Sequence, residues 1–296
     1  MEIRQLEYFV ALVEEKTFSA AALRCGVAQP SLSQQIKKLE QELGADVVVR
    51  RRGGVELTAA GKLLWRRAVA ILGLVGDVER LFLDRGDLIA GRVTVGVIPT
   101  VAPYWLPGVL GGWRERNPEV AVDLVEDVTG RLLDLVLAGE VDFAITSDLD
   151  VEVSGVIDRR LFDEDLWLVV GAESELARSE VVDVALLKGE SLLVMQEGHC
   201  LSNQTVRQCR AYDFKPRTGI RCNSLETLVG LVEAGLGVGF VPEMARGVYA
   251  GRGVRMVRVA GGRFSRSVRI VSRADKVFGG HERRLIEVMA AAVACT

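Results

Sequence analysis

The 296-residue sequence predicts an α/β protein in three parts: a small helical unit carrying a β-hairpin, one long helix, and a two-part α/β body. Three patterns carry that prediction. Apolar residues recur at helical spacing up to Leu43, and a β-branched run with a Gly-Gly turn follows to about residue 58. Apolar residues then alternate at fours and threes between Leu64 and Phe82, and strand-like runs alternate with helical ones after Gly91. The length agrees, because single hydrophobic cores stop growing beyond roughly 250–300 residues.

Composition sets the outer limits. Hydrophobic residues are 49% and charged residues 26% of the chain, which excludes a wholly disordered or collagen-like protein. The opening Met1-Glu2-Ile3-Arg4-Gln5-Leu6-Glu7 interleaves charges where a secretory leader needs an apolar run, so a cytoplasmic protein is expected. The uncharged stretch 93–113 contains Pro99, Pro103 and Pro107 and four glycines, which fits strand, turn and helix rather than a membrane span. Five cysteines, an odd count, make a poor disulfide framework in a reducing compartment, so any pairing is expected to be transient. The net charge of −3 hides an asymmetry: residues 1–67 carry 11 Lys and Arg against 8 Asp and Glu, or +3, leaving −6 on the rest. Positive potential therefore sits at the N-terminal end, where a phosphate backbone could be met.

In the first part, Leu6, Phe9, Val10 and Val13 mark an amphipathic helix over residues 3–13. A second helix is expected to take Ser19 as its N-cap and to stop at Gly26. Pro30 is placed at the first position of a third, whose Leu32, Ile36, Leu39 and Leu43 share one face. The other face carries Ser31, Ser33, Gln34, Lys37 and Lys38. Short hydroxyls, amides and lysines near a helix start can reach base edges and phosphates in a major groove. Gln29, Pro30, Ser31, Ser33, Gln34 and Lys37 are the candidate DNA contacts. Residues 47–58 join a β-branched run, the cluster Arg50-Arg51-Arg52 and a Gly-Gly turn, the pattern of a hairpin whose arginines would meet phosphate or the minor groove. Taken alone, these features also fit a small three-helix core with solvated basic residues.

Phe9-Val10, Phe18-Ser19-Ala20-Ala21-Ala22, Val27-Ala28-Gln29-Pro30-Ser31-Leu32-Ser33-Gln34-Gln35-Ile36, Leu39-Glu40, Leu43-Gly44 and Leu57-Thr58-Ala59-Ala60-Gly61 closely resemble the LysR-type DNA-binding signature across its whole length. The resemblance implies a winged helix-turn-helix over residues 1–58 that binds double-stranded DNA, in a transcription regulator rather than an enzyme. RNA polymerase is a further expected partner. Ala28 departs from the signature, which often has Ser or Thr there; a lost capping hydroxyl weakens a helix start by about 1 kcal/mol.

Residues 59–88 are expected to form a linker helix in which Leu64, Ala68, Ile71, Val75, Val78 and Phe82 make an a/d seam. Such a seam suits pairing with a second copy, or packing of one amphipathic helix on its own domain. The LysR resemblance implies the first, giving a homodimer or homotetramer on an imperfect inverted-repeat operator.

From residue 91 onward, strands at 93–98, 120–125 and 141–146 alternate with helices, and the order repeats from Leu166, implying α/β units with a mostly parallel sheet. Crossings near residues 162 and 266 resemble the LysR regulatory domain, which is similar in fold to periplasmic binding proteins. On that resemblance, subdomain I covers about 91–162 and 267–296, subdomain II about 163–266, and a ligand cleft lies between them. No P-loop or HExxH motif occurs, and with His199 and His281 as the two histidines neither a metal site nor a cofactor is expected.

The segment Gln196-Glu197-Gly198-His199-Cys200-Leu201-Ser202-Asn203-Gln204, with Cys209 beyond it, places a cysteine at a helix start beside a histidine, where the helix dipole favours thiolate. A buried, inert cysteine is the other reading of those residues. The stretch closely resembles the OxyR peroxide sensors, as do Pro99-Thr100-Val101-Ala102-Pro103-Tyr104, Ser224-Leu225-Glu226-Thr227-Leu228 and Arg266. That resemblance implies a redox pair of Cys200 as the peroxide-reactive thiol and Cys209 as the resolving one, with Thr100, Thr129, His199 and Arg266 as peroxide or ligand contacts. Nine helical steps separate Cα atoms by ~13.5 Å, whereas a disulfide tolerates about 4.4–6.8 Å. If the segment is helical when reduced, bonding must unwind it. Gly219, where these sensors can carry histidine, and the extra thiol Cys222 depart from the pattern; Cys25 and Cys295 are read as structural or incidental. Two rivals are a LysR regulator answering a small organic effector in the cleft, and a thiol peroxidase, against which the N-terminal motif argues.

Overall fold

A computed structural model describes residues 1–51, 54–83, 91–149, 152–211, 217–260 and 264–292. It divides into two compact units, one of Met1–Asp87 with Leu137–Glu140 and one of Leu88–Val136 with Val141–Thr296. Among the described residues no helix is long and apolar enough to cross a membrane.

The first unit opens with α1 (Ile3–Glu15), α2 (Phe18–Arg24) and α3 (Gln29–Leu43) around a core of Leu6, Phe9, Leu12, Leu32, Ile36 and Leu39. α2 begins two residues before the start that a Ser19 cap implies. Lys16 closes α1 in the left-handed conformation, at φ 61°, so Thr17 is the first extended residue, and its hydroxyl accepts from the Ala20 amide at 3.3 Å. α3 starts at Gln29 with Pro30 second rather than first; either place is tolerated because the first four amides of a helix lack internal partners. Ala28 caps it without a side-chain bond.

The wing pairs β1 (Val48–Arg51) with β2 (Gly54–Leu57) antiparallel, and the Val55 amide donates to the Lys16 carbonyl at 2.7 Å, tying the hairpin to the α1–α2 turn. Arg52 lies outside the described residues. Thr58 then starts α4 (Ala59–Leu83): its hydroxyl accepts from the Gly61 amide at 2.9 Å and donates to the Asp46 carbonyl at 2.7 Å. A Cβ on Gly61 would lie 1.9 Å from the Val47 carbonyl oxygen, so only glycine allows this close crossing. The expected seam divides along its length. Leu64, Ala68 and Ile71 pack on the unit's own core, while Val78 is exposed; the Phe82 side chain and residues 84–88 lie outside the description.

The second unit contains β3 (Gly91–Val97), α5 (Ala102–Arg116), β4 (Val120–Glu126), α6 (Thr129–Ala138), β5 (Phe143–Ser147) and β6 (Val156–Gly171). β7 (Val181–Asp183), β8 (Ser191–Met195), α7 (Cys200–Ala211), β9 (Arg217–Cys222), α8 (Leu225–Glu233), β10 (Gly239–Pro242), β11 (Val254–Ala260), β12 (Ser265–Arg273) and α9 (Gly280–Ala292) follow. Among the described residues the main sheet has the order β4-β3-β5-β12-β6-β11-β7, with β10 also on β6. It is mixed rather than mostly parallel. β3, β4 and β5 are parallel, but β6 and β12 return across the molecule antiparallel to their neighbours. Residues 156–165 of β6 pair with β12, and residues 166–171 pair with β10 and β11, so one strand serves both subdomains.

Each subdomain has its own core. In the first, Val93, Val95, Phe143 and Ile145 meet Trp105, Trp113 and Leu285; in the second, Leu168, Val169 and Leu193 meet Leu228, Phe240 and Cys209. Full burial of such a side chain contributes about 1.5–3 kcal/mol. The hydroxyls of Tyr104 on α5 and Tyr249 in the second subdomain join the two at 2.6 Å.

Candidate functional site

The carboxyl ends of β3, β4 and β5 lead into residues 98–100, 127–129 and 146–148, the position where open α/β sheets hold ligands. Across this edge lies α7. Cys200, Gln204 and Gln208 recur every four residues and so share one helical face. The Cys200 Sγ is 2.6 Å from the Thr129 Oγ1, after β4. The Gln204 Nε2 donates to the Ser147 Oγ at 2.7 Å and the Asp148 Oδ2 at 3.2 Å, at the end of β5. The Gln208 Nε2 donates to the Ser265 carbonyl at 2.5 Å, at the start of β12. Eight helical steps, ~12 Å, thus match three strand spacings, ~14 Å, in the order β4-β3-β5-β12.

Cys200 and Thr129 are the first residues of α7 and α6, so two helix N-termini converge on one sulfur. Each carries about half a positive charge on unpaired amides, and together with a hydroxyl they favour negative charge there. The turn before Cys200 needs Gly198, whose φ of 99° other residues rarely adopt. His199 is buried, and burial pushes its pKa below the usual imidazole value, so it is neutral at pH 7. It therefore supplies Cys200 with no cationic partner at that pH.

Thr100 lies beyond β3, in the gap between Thr129 and Ser147 in strand order. It is buried, and so is Arg266 of β12. The Arg266 Nη1 donates to the Thr100 Oγ1 at 2.7 Å and its Nη2 to the Thr100 carbonyl at 3.1 Å, while Nε meets the Glu164 Oε1 at 2.8 Å. The structure thus brings Cys200 to Thr129 and Arg266 to Thr100, as neighbouring groups along one sheet edge.

Cys209 faces the other way. Nine steps at 100° each turn it to the opposite side of α7 from Cys200, into the second subdomain's core, where it is 0% exposed. Burial pushes its thiol up to about 11. Cys222 is also buried, opposite Met195 where β8 meets β9, and burial raises its pKa too. Cys25 is half-buried in the first unit; Cys295 lies outside the described residues.

On the first unit, Pro30, Ser31, Gln34 and Lys37 are exposed along α3, and Gln29 and Ser33 are half-buried. Arg51 is exposed and 3.6 Å from Glu56. Arg50 reaches back to this helix: its guanidinium stacks 4.4 Å from the Phe18 ring centroid, and its Nη2 donates to the Ser33 Oγ at 3.3 Å. Wing and helix thereby present one polar surface.

The bacterial regulatory helix-turn-helix model of the lysR family matches residues 3–62, and the LysR substrate binding domain model matches residues 86–294. The chain belongs to the LysR family. The DNA-binding transcriptional dual regulator OxyR of Escherichia coli K12 is 38% identical to it over 245 residues, 83% of this chain and 80% of that protein. A probable hydrogen peroxide-inducible genes activator of Mycobacterium avium is 35% identical over 275 residues, 92% of this chain and 88% of the relative. Full-length OxyR of Pseudomonas aeruginosa, carrying a cysteine-to-aspartate change, superposes with TM-score 0.81 at 31% identity, covering 99% of this chain and 97% of that one. A hydrogen-peroxide-bound OxyR cysteine mutant of Corynebacterium glutamicum gives TM-score 0.66 at 32% identity, covering 99% and 92%.

In this LysR-family chain several residues at the sheet edge escaped sequence reasoning. Gln204 and Gln208 were readable as amides four apart on the cysteine helix, although such residues usually face solvent. Glu164 carried no local signal, because its partner Arg266 lies 102 residues away. In the first unit, Phe18 lies inside the family signature with no local cue to its role, which is to carry the Arg50 guanidinium on its ring.

Proposed function

We propose that this chain is a cytoplasmic, DNA-binding LysR-type transcription regulator that senses hydrogen peroxide through a reversible disulfide between Cys200 and Cys209. The observation that carries the reading is the Cys200 sulfur held 2.6 Å from Thr129 at the meeting of two helix N-termini. The relatives named for hydrogen peroxide support it.

Thiolate at Cys200 attacks one peroxide oxygen; the S–O bond forms, the O–O bond breaks, and the other oxygen leaves as hydroxide and takes a proton to become water. Thr129, whose one proton first steadies the thiolate, turns that donation to the bound oxygen as the sulfur gives up its charge, Thr100 donates to the departing oxygen, Arg266 holds Thr100, and neutral His199 lines the site. The Cys209 sulfur then attacks the sulfenic acid, forming the disulfide and releasing the oxygen as a second water. Two electrons pass from the thiols to peroxide and no enzyme turnover follows, because the disulfide persists as the signal.

Forming that bond from opposite faces of α7 requires the helix to unwind, which breaks the Gln204 and Gln208 contacts. Repacking there changes how two copies, paired through α4, present Gln29, Pro30, Ser31, Ser33, Gln34, Lys37 and the arginines of the wing to two half-sites and to RNA polymerase. Operator binding and disulfide state, measured before and after one equivalent of peroxide in wild type and Cys200→Ser, test the reading. A peroxide-dependent footprint change absent from Cys200→Ser is expected. Cys200 remaining reduced while Cys25 or Cys295 oxidises would refute it.

A further inference from the structure

We infer that Glu164 is a positioning residue for the peroxide reaction, acting through Arg266 to aim the Thr100 hydroxyl; the inference rests on the peroxide reading of this site. Glu164 lies where β6 passes from one subdomain to the other, and it is 9% exposed. Both of its carboxylate oxygens are engaged. Oε1 accepts from Arg266, with Nε at 2.8 Å and Nη2 at 2.7 Å, and Oε2 accepts from the Met244 amide at 3.1 Å. The carboxylate is thus fixed from two sides, by a side chain of β12 and by backbone of the second subdomain.

The guanidinium is planar and rigid, so gripping one edge sets the direction of the other. That other edge meets Thr100 twice, at the hydroxyl oxygen and at the carbonyl. With Arg266 donating to its oxygen, the Thr100 hydroxyl keeps its own proton for a different acceptor. The peroxide oxygen that leaves as hydroxide is such an acceptor, and donors aimed at developing negative charge are the groups that lower a barrier.

Stability alone is a poor account of this pair. A buried ion pair recovers its desolvation cost only in excellent geometry, and apolar residues of similar volume are often as stable. A carboxylate that merely neutralised Arg266 would also not need its second oxygen fixed by the Met244 amide. Here Glu164, Arg266 and Thr100 form one chain of bonds ending at the sheet edge where Thr129 holds Cys200.

The test compares wild type, Thr100→Val, Glu164→Asp and the double variant in the full-length protein, reading Cys200 oxidation by hydrogen peroxide through rapid quenching and mass spectrometry. Iodoacetamide labelling of Cys200 is the control, since it needs the thiolate but no departing hydroxide. Glu164→Asp keeps the buried charge and withdraws the oxygens by one methylene. It is expected to slow the peroxide reaction about tenfold, the effect of one weakened hydrogen bond in the transition state, and to leave iodoacetamide labelling unchanged. In the Thr100→Val background it should slow nothing further, because the hydroxyl it aims is gone. A wild-type rate in Glu164→Asp, a loss that multiplies with that of Thr100→Val, or an equal loss with iodoacetamide overturns the inference. Glu164→Gln keeps the length but turns one of the two accepting oxygens into an NH2 that faces a donor, so it should slow the peroxide reaction at least as much as Glu164→Asp even if the aspartate variant folds poorly; a wild-type peroxide rate in Glu164→Gln overturns the inference. A wild-type peroxide rate in Thr100→Val would instead remove Thr100 from the reaction, a separate result that takes the peroxide reading of that residue with it.

Discussion

The burial of Cys209 makes the opening of α7 a gate, and a single backbone substitution tests it. Within the helix the Cys209 thiol is pushed up to about 11 from an ordinary value near 9, and it is 0% exposed. At pH 7 that difference lowers its thiolate fraction about a hundredfold relative to an open segment, before access is considered. Reagents therefore reach Cys209 through molecules in which α7 has transiently opened. Arg207 is an exposed interior residue of the helix, and a glycine there disfavours the helix by about 1 kcal/mol relative to alanine. Comparing Arg207→Gly with Arg207→Ala cancels the loss of the arginine side chain. The open population should be about fivefold larger in the glycine variant, since 1.4 kcal/mol is a factor of ten. Alkylation of Cys209 by iodoacetamide at pH 7, followed by peptide mass spectrometry, should be faster by the same factor, while Cys200 at the helix start changes little. Equal Cys209 rates in the two variants, or a matching change at Cys200, would mean that labelling does not pass through helix opening.

Cys209 also ties stability to alkaline pH. Its folded pKa lies above its unfolded one, so its contribution is fully present below about pH 9 and is lost as pH rises toward about 11. Denaturant titrations should show a loss approaching 3 kcal/mol across that window, allowing 1.36 kcal/mol per pH unit, and a smaller loss in Cys209→Ala; identical slopes would contradict the assignment. On the DNA side, Arg50→Ala should weaken operator and random DNA alike and lower the salt slope of binding by about 1, as expected for one lost phosphate contact. A slope unchanged from wild type would place Arg50 off the phosphates.

The first unit was legible because its signals are local. Helical apolar spacing, a proline near a helix start and a Gly-Gly turn between β-branched runs each act over a few residues, and α1, α3 and the wing form where they indicate. The start of α2 was misplaced because Thr17 and Ser19 are both capping residues, and the left-handed Lys16 that favours Thr17 is not a glycine. In the second unit the strand and helix alternation was readable, but the mixed sheet was not. The first half of β6 groups its residues in blocks, Val156-Ile157, Asp158-Arg159-Arg160, Leu161-Phe162 and Asp163-Glu164-Asp165, with no period-two alternation to mark a strand, and its partner β12 lies about a hundred residues on. The same distance concealed Glu164, whereas Cys200 and Cys209 stood out by composition and spacing.

The shared strand β6 has a consequence for taking the protein apart. The chain enters subdomain II within β6 rather than through a loop, and β6 and β12 are laddered across residues 156–165 and 265–273 at the crossing. A cut at 163 and 266 would break few rungs of the sheet, since residues 156–162 stay with 268–273 and residues 166–171 stay with β10 and β11, but it would part Arg266 from Thr100 and open a buried guanidinium and its carboxylate to water. The two halves of the sensing unit are therefore joined by unbroken strand, and separating them sacrifices the Arg266–Thr100 clasp rather than the sheet itself.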